Sequence, residues 1–352
     1  MSKLLKQNIT RSNPLFLKNV NLISKIKVSP SKPSIIYFEN GNCVNSSCLK
    51  CPNTPCYQFS DSELSLKALS DFSYDRSKIV CPVDAISIDT KKYTPIINKE
   101  KCISCGLCSY RCPIKAIYID NNSAVLNNTI SKDDNKFYKD IDIDEFYDNF
   151  QNLFKITFEG VIICESDLAL GNLYDNISKI NKKNPSLPNN LVRNVLLSLG
   201  TTYNSTRIGD NNFRMDGIMG NSEKLGVCEI EFGNDLLNSP RNILDDIAVI
   251  CSRYSKHYSD IYPLIISLEL PNTRSEYWRV IQDIKNVLNI EINSISIGAL
   301  FLLIWNLKKI NLITLSFYSD CNNLSIRQYI ENILDKNINL TQGFKSVLEV
   351  NK

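Results

Sequence analysis

The sequence predicts a chain of mixed α+β and α/β class, with a small unit near the N-terminus and a larger unit with a mixed sheet behind it. One observation behind this prediction is an internal repeat, because Cys81-Pro-Val-Asp-Ala-Ile-Ser-Ile-Asp returns as Cys112-Pro-Ile-Lys-Ala-Ile-Tyr-Ile-Asp. The other is an alternation of strand-like and helix-like apolar segments after residue 187, which is typical of a sheet flanked by helices. A length of 352 residues leaves room for roughly two or three units.

The first segment, residues 1–36, is predicted to be a basic arm. No acidic residue occurs before Glu39, whereas seven lysines and arginines do. Such an arm is either solvated or placed against phosphates. The whole chain carries a net charge of only +3, which argues neither for nor against a polyanionic partner.

Residues 37–128 form the predicted iron–sulfur domain. Its second repeat contains Cys102, Cys105, Cys108 and Cys112 followed by a proline, which fits the run C-x2-C-x2-C-x3-C-P that holds 4Fe-4S clusters. This segment resembles the two-cluster bacterial-type ferredoxins. The resemblance implies a ferredoxin-like (βαβ)2 fold with two 4Fe-4S clusters. It also implies that the cysteine before each proline binds the other cluster, so that Cys81 joins Cys102, Cys105 and Cys108 in cluster 2.

Cluster 1 is expected to bind Cys112 and three cysteines of the first half. The spacing Cys48-x2-Cys51-x4-Cys56 resembles iron–sulfur subunits of molybdopterin oxidoreductases, which implies these three as ligands and leaves Cys43 as an alternative ligand. Two other interpretations stay open: zinc in place of iron, and clusters that only stabilise the fold. Zinc sites usually lack a Cys-Pro repeat.

Cysteine usage and apolar segments indicate the compartment. Most of the thirteen cysteines have ligand spacings and no signal peptide precedes them, which predicts a reducing cytoplasm. The longest apolar run, Ile297 to Trp305, is too short to span a bilayer, so no membrane partner is expected. The scattered cysteines Cys164, Cys228, Cys251 and Cys321 are predicted to be core thiols. With His257 as the one histidine, histidine-based catalytic sites are excluded.

Residues 129–186 are predicted to be an acidic linker and a connector with some helix and strand. An α/β domain over residues 187–352 follows. Its predicted helices are Leu191 to Leu199, Pro240 to His257 and Arg274 to Leu288, with Asp245 and Asp246 on the polar face of the second. Its predicted strands are Phe213 to Ile218, Gly226 to Phe232, Leu264 to Leu270, Ile295 to Trp305 and Leu312 to Tyr318.

Three acidic residues stand out in this domain. Asp216 lies on one predicted strand, and Glu229 and Glu231 share one face of the next. Neighbouring carboxylates repel unless a cation lies between them, and Mg²⁺ is typically bound by one or two carboxylates with water. The pattern therefore predicts a Mg²⁺ site.

Residues 187 to about 320 resemble the PD-(D/E)XK nuclease superfamily in element order and in this acidic motif. The resemblance implies a restriction-endonuclease-like fold in which Asp216 and Glu229 bind Mg²⁺, the Ile230 carbonyl completes the metal shell, and Glu231 takes the usual lysine position. The first functional hypothesis is therefore a Mg²⁺-dependent DNA nuclease of defence or repair, with Asp216, Glu229 and Glu231 as catalytic residues. The alternatives are an electron-transfer protein whose C-terminal domain docks a redox partner, and a redox-sensing protein that binds nucleic acid.

Overall fold

The computed structural model describes residues 54–64, 72–88, 95–111, 117–120, 123–126, 166–210, 213–220, 224–306, 309–319, 326–335, 337–338 and 345–350. The basic arm and the acidic part of the linker lie outside these residues. So do six cysteines with predicted roles, namely Cys43, Cys48, Cys51, Cys112, Cys164 and Cys321. The chain divides into two compact units. One comprises residues 1–60, 78–182 and 305–307, and the other comprises residues 61–77, 183–304 and 308–352.

The first unit contains two short antiparallel strand pairs. Strand β1 (Ile86–Ile88) pairs with β2 (Pro95–Ile97), and β3 (Ile117–Asp120) pairs with β4 (Ser123–Leu126). Strands β1 and β3 occupy the same position in the two sequence repeats, so the repeat in sequence is also a repeat in structure. Two helices complete the described part of this unit: α1 (Leu107–Arg111) and α2 (Ser166–Asn181).

The second unit is built on a five-stranded mixed sheet, which confirms the predicted mixed α/β class. The strands follow the order β5 (Tyr203–Ser205), β6 (Gly217–Gly220), β7 (Leu225–Glu231), β8 (Ile261–Ser267) and β9 (Asn293–Ser296). Strand β6 runs antiparallel to both of its neighbours, β5 and β7, whereas β7, β8 and β9 are parallel to one another. Parallel neighbours need crossover connections, and helices supply both of them.

Six α-helices lie wholly or almost wholly in this unit within the described residues: α3 (Leu187–Leu199), α4 (Ser239–Tyr254), α5 (Glu276–Leu288), α6 (Ile297–Trp305), α7 (Ile326–Leu334) and α8 (Lys345–Leu348). Helix α3 ends at Gly200, whose φ of 99° lies in the left-handed region that glycine adopts without strain. Helix α4 has Pro240 near its start, and its buried face contains Ile243, Ile247 and Ile250. Helix α4 crosses from β7 to β8, and α5 from β8 to β9.

Two strand predictions are wrong. The run from Ile297 to Trp305 is helix α6, and strand β9 stops at Ser296 just before it. Every residue of α6 is buried, and an apolar run with no polar face has no period that separates a buried strand from a buried helix. Leu312–Thr314 is a short 3-10 helix, and Tyr318 pairs with Asn293 in an isolated bridge and not within a strand. Among the described residues, none of the helices is long and apolar enough to cross a membrane.

Candidate functional site

Four cysteines from two segments line one pocket in the first unit. They are Cys81, which opens the first repeat, and the three cysteines of the second group, Cys102, Cys105 and Cys108. The rest of the wall is apolar and includes Ile86 of β1, Ile97 of β2 and Leu107 of α1. Thus the structure brings together the four side chains that the sequence predicts as ligands of cluster 2.

The loop from Cys102 to Gly106 turns sharply, which allows its cysteines to face the same pocket. Ser104 has a φ of 58° and Gly106 a φ of 80°, both in the left-handed region. A serine rarely adopts this conformation, so the surrounding structure must hold it there. Helix α1 starts directly after the loop and carries Cys108 in its first turn.

Backbone amides point at two of the sulfur atoms. The N–H of Ala85 donates to Sγ of Cys81 at 3.2 Å, and the N–H of Ser104 donates to Sγ of Cys102 at 3.5 Å. Hydrogen bonds of this kind favour the thiolate over the thiol, and they tune the reduction potential of a cluster bound to the sulfur.

Burial makes the thiolate form of the cysteines in this pocket energetically unfavourable unless a positive charge lies nearby. It raises the pKa of Cys81, Cys105 and Cys108, and neighbouring thiols raise each pKa further. Metal ligation requires the thiolate form, and bound iron supplies the positive charge that removes this cost. The pocket's donors and apolar wall therefore fit a 4Fe-4S cluster.

Cys56 is the one predicted ligand of cluster 1 within the described residues. It is buried in the turn that starts at Thr54, and it lies near enough to Cys108 to raise the pKa of that thiol. Arg111 at the end of α1 supports the turn, because its Nε donates to the Pro55 carbonyl at 2.7 Å and its guanidinium lies over the Phe59 ring. Cys56 is therefore held close to the second group of cysteines.

A single metal ion and an iron–sulfur cluster need different arrangements of their ligands. Across the described ranges, no group of three or more His, Cys, Asp or Glu side chains is arranged to hold a metal ion. Cysteines that surround four irons and four sulfides lie farther apart than the ligands of one ion. The four cysteines of the pocket thus fit a cluster better than zinc.

The predicted acidic residues also meet in the structure, within the second unit. The prediction that Asp216 lies on a strand is wrong, because β6 begins at Gly217 and Asp216 is in the bend before it. Gly217 lies opposite Cys228 on β7, so the position before Gly217 places Asp216 beside Glu229. Asp216 accepts hydrogen bonds from Nδ2 of Asn189 and from the N–H of Ile230, both at 2.8 Å. Ile230 thus presents its amide to Asp216. Glu231 accepts a hydrogen bond from the N–H of Gly233.

A fourth carboxylate, Asp246 on α4, joins this acidic group. The prediction that Asp246 lies on the polar face of the helix is wrong, because its side chain is only 4% exposed. Burial, together with the charges of Glu229 and Asp216, raises its pKa to about 7. Burial likewise raises the pKa of Glu229 to about 7, opposed by a hydrogen bond from Asn242 on the same helix. Asp245 and Asp246 are adjacent and identical in type, so the sequence did not show that Asp246 is the buried one.

Two of the scattered cysteines lie among the described residues. Cys228 on β7 is fully buried, as expected for a core thiol, whereas Cys251 on α4 is half-buried. Neither lines the four-cysteine pocket.

A family comparison agrees with the cysteine pocket. Residues 95–118 match the family of 4Fe-4S binding domains, and this range contains Cys102, Cys105, Cys108 and Cys112. The chain contains a 4Fe-4S binding domain. Cys81, the fourth cysteine of the pocket, lies outside the matched range, so its place beside the 4Fe-4S binding domain is known from the structure.

Two relatives are similar to part of the chain. One is an uncharacterised ferredoxin of Methanocaldococcus jannaschii, 39% identical over 77 residues, which are 22% of this chain and 36% of the relative. The other is the polyferredoxin-like subunit of an aliphatic sulfonate oxidoreductase of Pyrococcus furiosus, 32% identical over 88 residues, which are 24% of this chain and 39% of the relative.

These comparisons support a ferredoxin-type domain and do not support a nuclease. The chain spans little more than a third of the length of each relative. No solved structure matches the chain. The family match ends at residue 118, so it leaves Asp216, Glu229 and Glu231 unassigned.

Proposed function

We propose that the chain is an electron-transfer protein that carries two 4Fe-4S clusters and exchanges electrons with a redox partner protein. The observation that carries the proposal is the pocket in which Cys81 meets Cys102, Cys105 and Cys108. The 4Fe-4S family match and the two ferredoxin-type relatives support it. The proposal agrees with the electron-transfer alternative of the sequence analysis and not with its first hypothesis, the nuclease.

The residues of the pocket have separate roles in this proposal. Cys81, Cys102, Cys105 and Cys108 would hold cluster 2, and the amides of Ala85 and Ser104 would stabilise negative charge on two of the sulfurs. The apolar wall keeps water from the thiolates. Cys56 would bind cluster 1 with Cys48, Cys51 and Cys112, and Cys43 is the alternative ligand. Bound clusters of this type supply reversible one-electron transfer.

The proposal predicts about eight irons and about eight sulfides per chain, as two cubane clusters require. Anaerobic purification followed by iron and acid-labile sulfide analysis measures both numbers. About four irons would show that the chain holds one cluster and not two. Zinc in place of iron would overturn the proposal.

Electron transfer is tested apart from cluster content. The reduced protein should pass electrons to a redox dye and be reduced again over repeated cycles, with no effect of Mg²⁺. Clusters that are present but cannot be reduced would support the structural interpretation instead.

A second candidate function is Mg²⁺-dependent cleavage of DNA by the second unit. It is favoured by one observation, the register that places Asp216, just before β6, beside Glu229 in the C-terminal half of β7. Mg²⁺ typically binds one or two carboxylates and keeps several waters, so these two residues suffice as protein ligands. Glu231 would orient the attacking water. A redox-sensing role would need nucleic-acid binding that differs between oxidised and reduced protein.

For this candidate, Asp216→Asn should lower Mg²⁺-dependent DNA cleavage by roughly 100-fold or more, because a bound metal supplies several kcal/mol of transition-state stabilisation. Asp235→Asn, which removes an exposed carboxylate from the loop after β7, should leave cleavage unchanged. Wild-type protein that cleaves neither duplex nor single-stranded DNA would remove the nuclease from consideration and leave the electron-transfer proposal intact.

A further inference from the structure

Trp305 contacts the cysteine loop of the first unit, although nearly 200 residues separate the two in sequence. Its indole Nε1–H donates to the carbonyl oxygen of Cys105 at 3.0 Å, and both groups are buried. The side chain is only 2% exposed. Residues 305–307 are grouped with the first unit rather than with the segments that precede and follow them.

The loop that receives this hydrogen bond has little regular structure of its own. Residues 102–106 belong to no helix or strand, and Ser104 and Gly106 have positive φ values. A buried carbonyl outside regular structure needs a donor from elsewhere, and Trp305 is a donor for Cys105. Without a donor, the loop would gain from turning this carbonyl towards water.

The carbonyl and the sulfur of Cys105 move together. Both belong to one residue, so a rotation of the backbone that turns the carbonyl outwards also redirects Cβ and Sγ. Cys105 and Cys108 are each only 8% exposed, so a small opening of the loop would admit water to the pocket. A hydrogen bond at this carbonyl therefore restrains the part of the backbone that carries the Cys105 side chain into the pocket.

We propose that Trp305 is a positioning residue of the cluster-2 site. Its N–H holds Cys105 in the orientation that binds iron, and its buried indole excludes water from the loop. It thereby sets the lifetime and the reduction potential of the cluster. The inference rests on the proposed function in one respect, namely that the four-cysteine pocket holds a 4Fe-4S cluster.

The test compares the wild-type chain with Trp305→Phe, both purified without oxygen. The first measurement is the rate at which visible cluster absorbance is lost in the presence of an iron chelator. We expect about a tenfold faster loss, since removing a donor from a buried carbonyl favours opening of the loop. The second is the reduction potential, followed by electron paramagnetic resonance. It should rise, because water stabilises the more negative reduced cluster.

The matched control is Trp278→Phe. Trp278 is the other of the two tryptophans in the chain, and it is fully buried. Its Nε1–H also donates to a backbone carbonyl at 3.0 Å, that of Pro271. The two substitutions remove the same atoms and the same kind of hydrogen bond, but Trp278 belongs to the second unit. The control should keep the wild-type loss rate and potential.

A second variant separates the hydrogen bond from the shape of the ring. Replacing Trp305 by 3-benzothienylalanine keeps the bicyclic ring and replaces only the N–H by sulfur, so it serves even if Trp305→Phe does not fold. It should also accelerate cluster loss. Wild-type lifetime and potential in the benzothienyl variant would overturn the inference, as would equal acceleration by Trp278→Phe. A wild-type chain that binds no cluster at all would instead overturn the proposed function, and this inference with it.

Discussion

A Cys108→Ser variant is expected to lose about half of its iron, from about eight to about four atoms per chain. Cys108 is buried in the first turn of α1 and lines the pocket with Cys81, Cys102 and Cys105. A serine hydroxyl is a much poorer iron ligand than a thiolate, and among the cysteines that the structure describes only these four line the pocket. Anaerobic iron and sulfide analysis gives the count, and electron paramagnetic resonance of the reduced protein shows which signal disappears.

The control for this variant is Cys251→Ser. Cys251 is half-buried on α4, and it does not line the four-cysteine pocket. Its substitution should leave the iron content unchanged. Full iron content in Cys108→Ser, with unaltered spectra, would show that Cys108 is not a cluster ligand.

The second large effect is expected at Asp246. Burial raises the pKa of this carboxyl from 3.8 to about 7, so the folded protein binds its proton more tightly than the unfolded chain does. Stability from this group is therefore highest below about pH 4, falls as pH rises through the interval up to about 7, and stays low above it. Glu229, whose pKa is also raised to about 7, acts in the same direction.

Asp246→Asn removes this penalty without a large change of shape. In buffer without divalent cations, the variant should be more stable than wild type at pH 8 by on the order of 2 kcal/mol, and the gain should shrink towards pH 4. Urea unfolding at several pH values, followed by fluorescence, measures it. The control is Asp245→Asn, which removes the neighbouring exposed carboxylate. A gain that is the same at pH 4 and pH 8, or equal in both variants, would contradict the assignment.

The sequence was most informative where chemistry dictates spacing. Iron ligation requires cysteines at fixed intervals, so the sequence predicted that Cys102, Cys105 and Cys108 lie together, and the repeat added Cys81. The same holds for Asp216 and Glu229, since strand alternation and hairpin order place them together.

The remaining features depend on tertiary packing. The burial of Asp246 depends on which side of α4 packs against the sheet. The residue types of Asp245 and Asp246 do not show which of the two faces it. The all-apolar residues of α6 lack the period that identifies a helix. The contact between Trp305 and Cys105 joins residues far apart in sequence and could be found only in the structure.

The pocket also has a consequence for how the first unit acquires its shape. A cluster bound by Cys81 and Cys102 would join two points of the chain about twenty residues apart, much as a disulfide closes a loop and limits the freedom of the unfolded chain. The strands on either side have only three or four residues each and supply little cohesion alone. Metal insertion is thus expected to be a folding step for this unit, so the supply of iron and sulfide would limit how fast the mature protein appears in the cell.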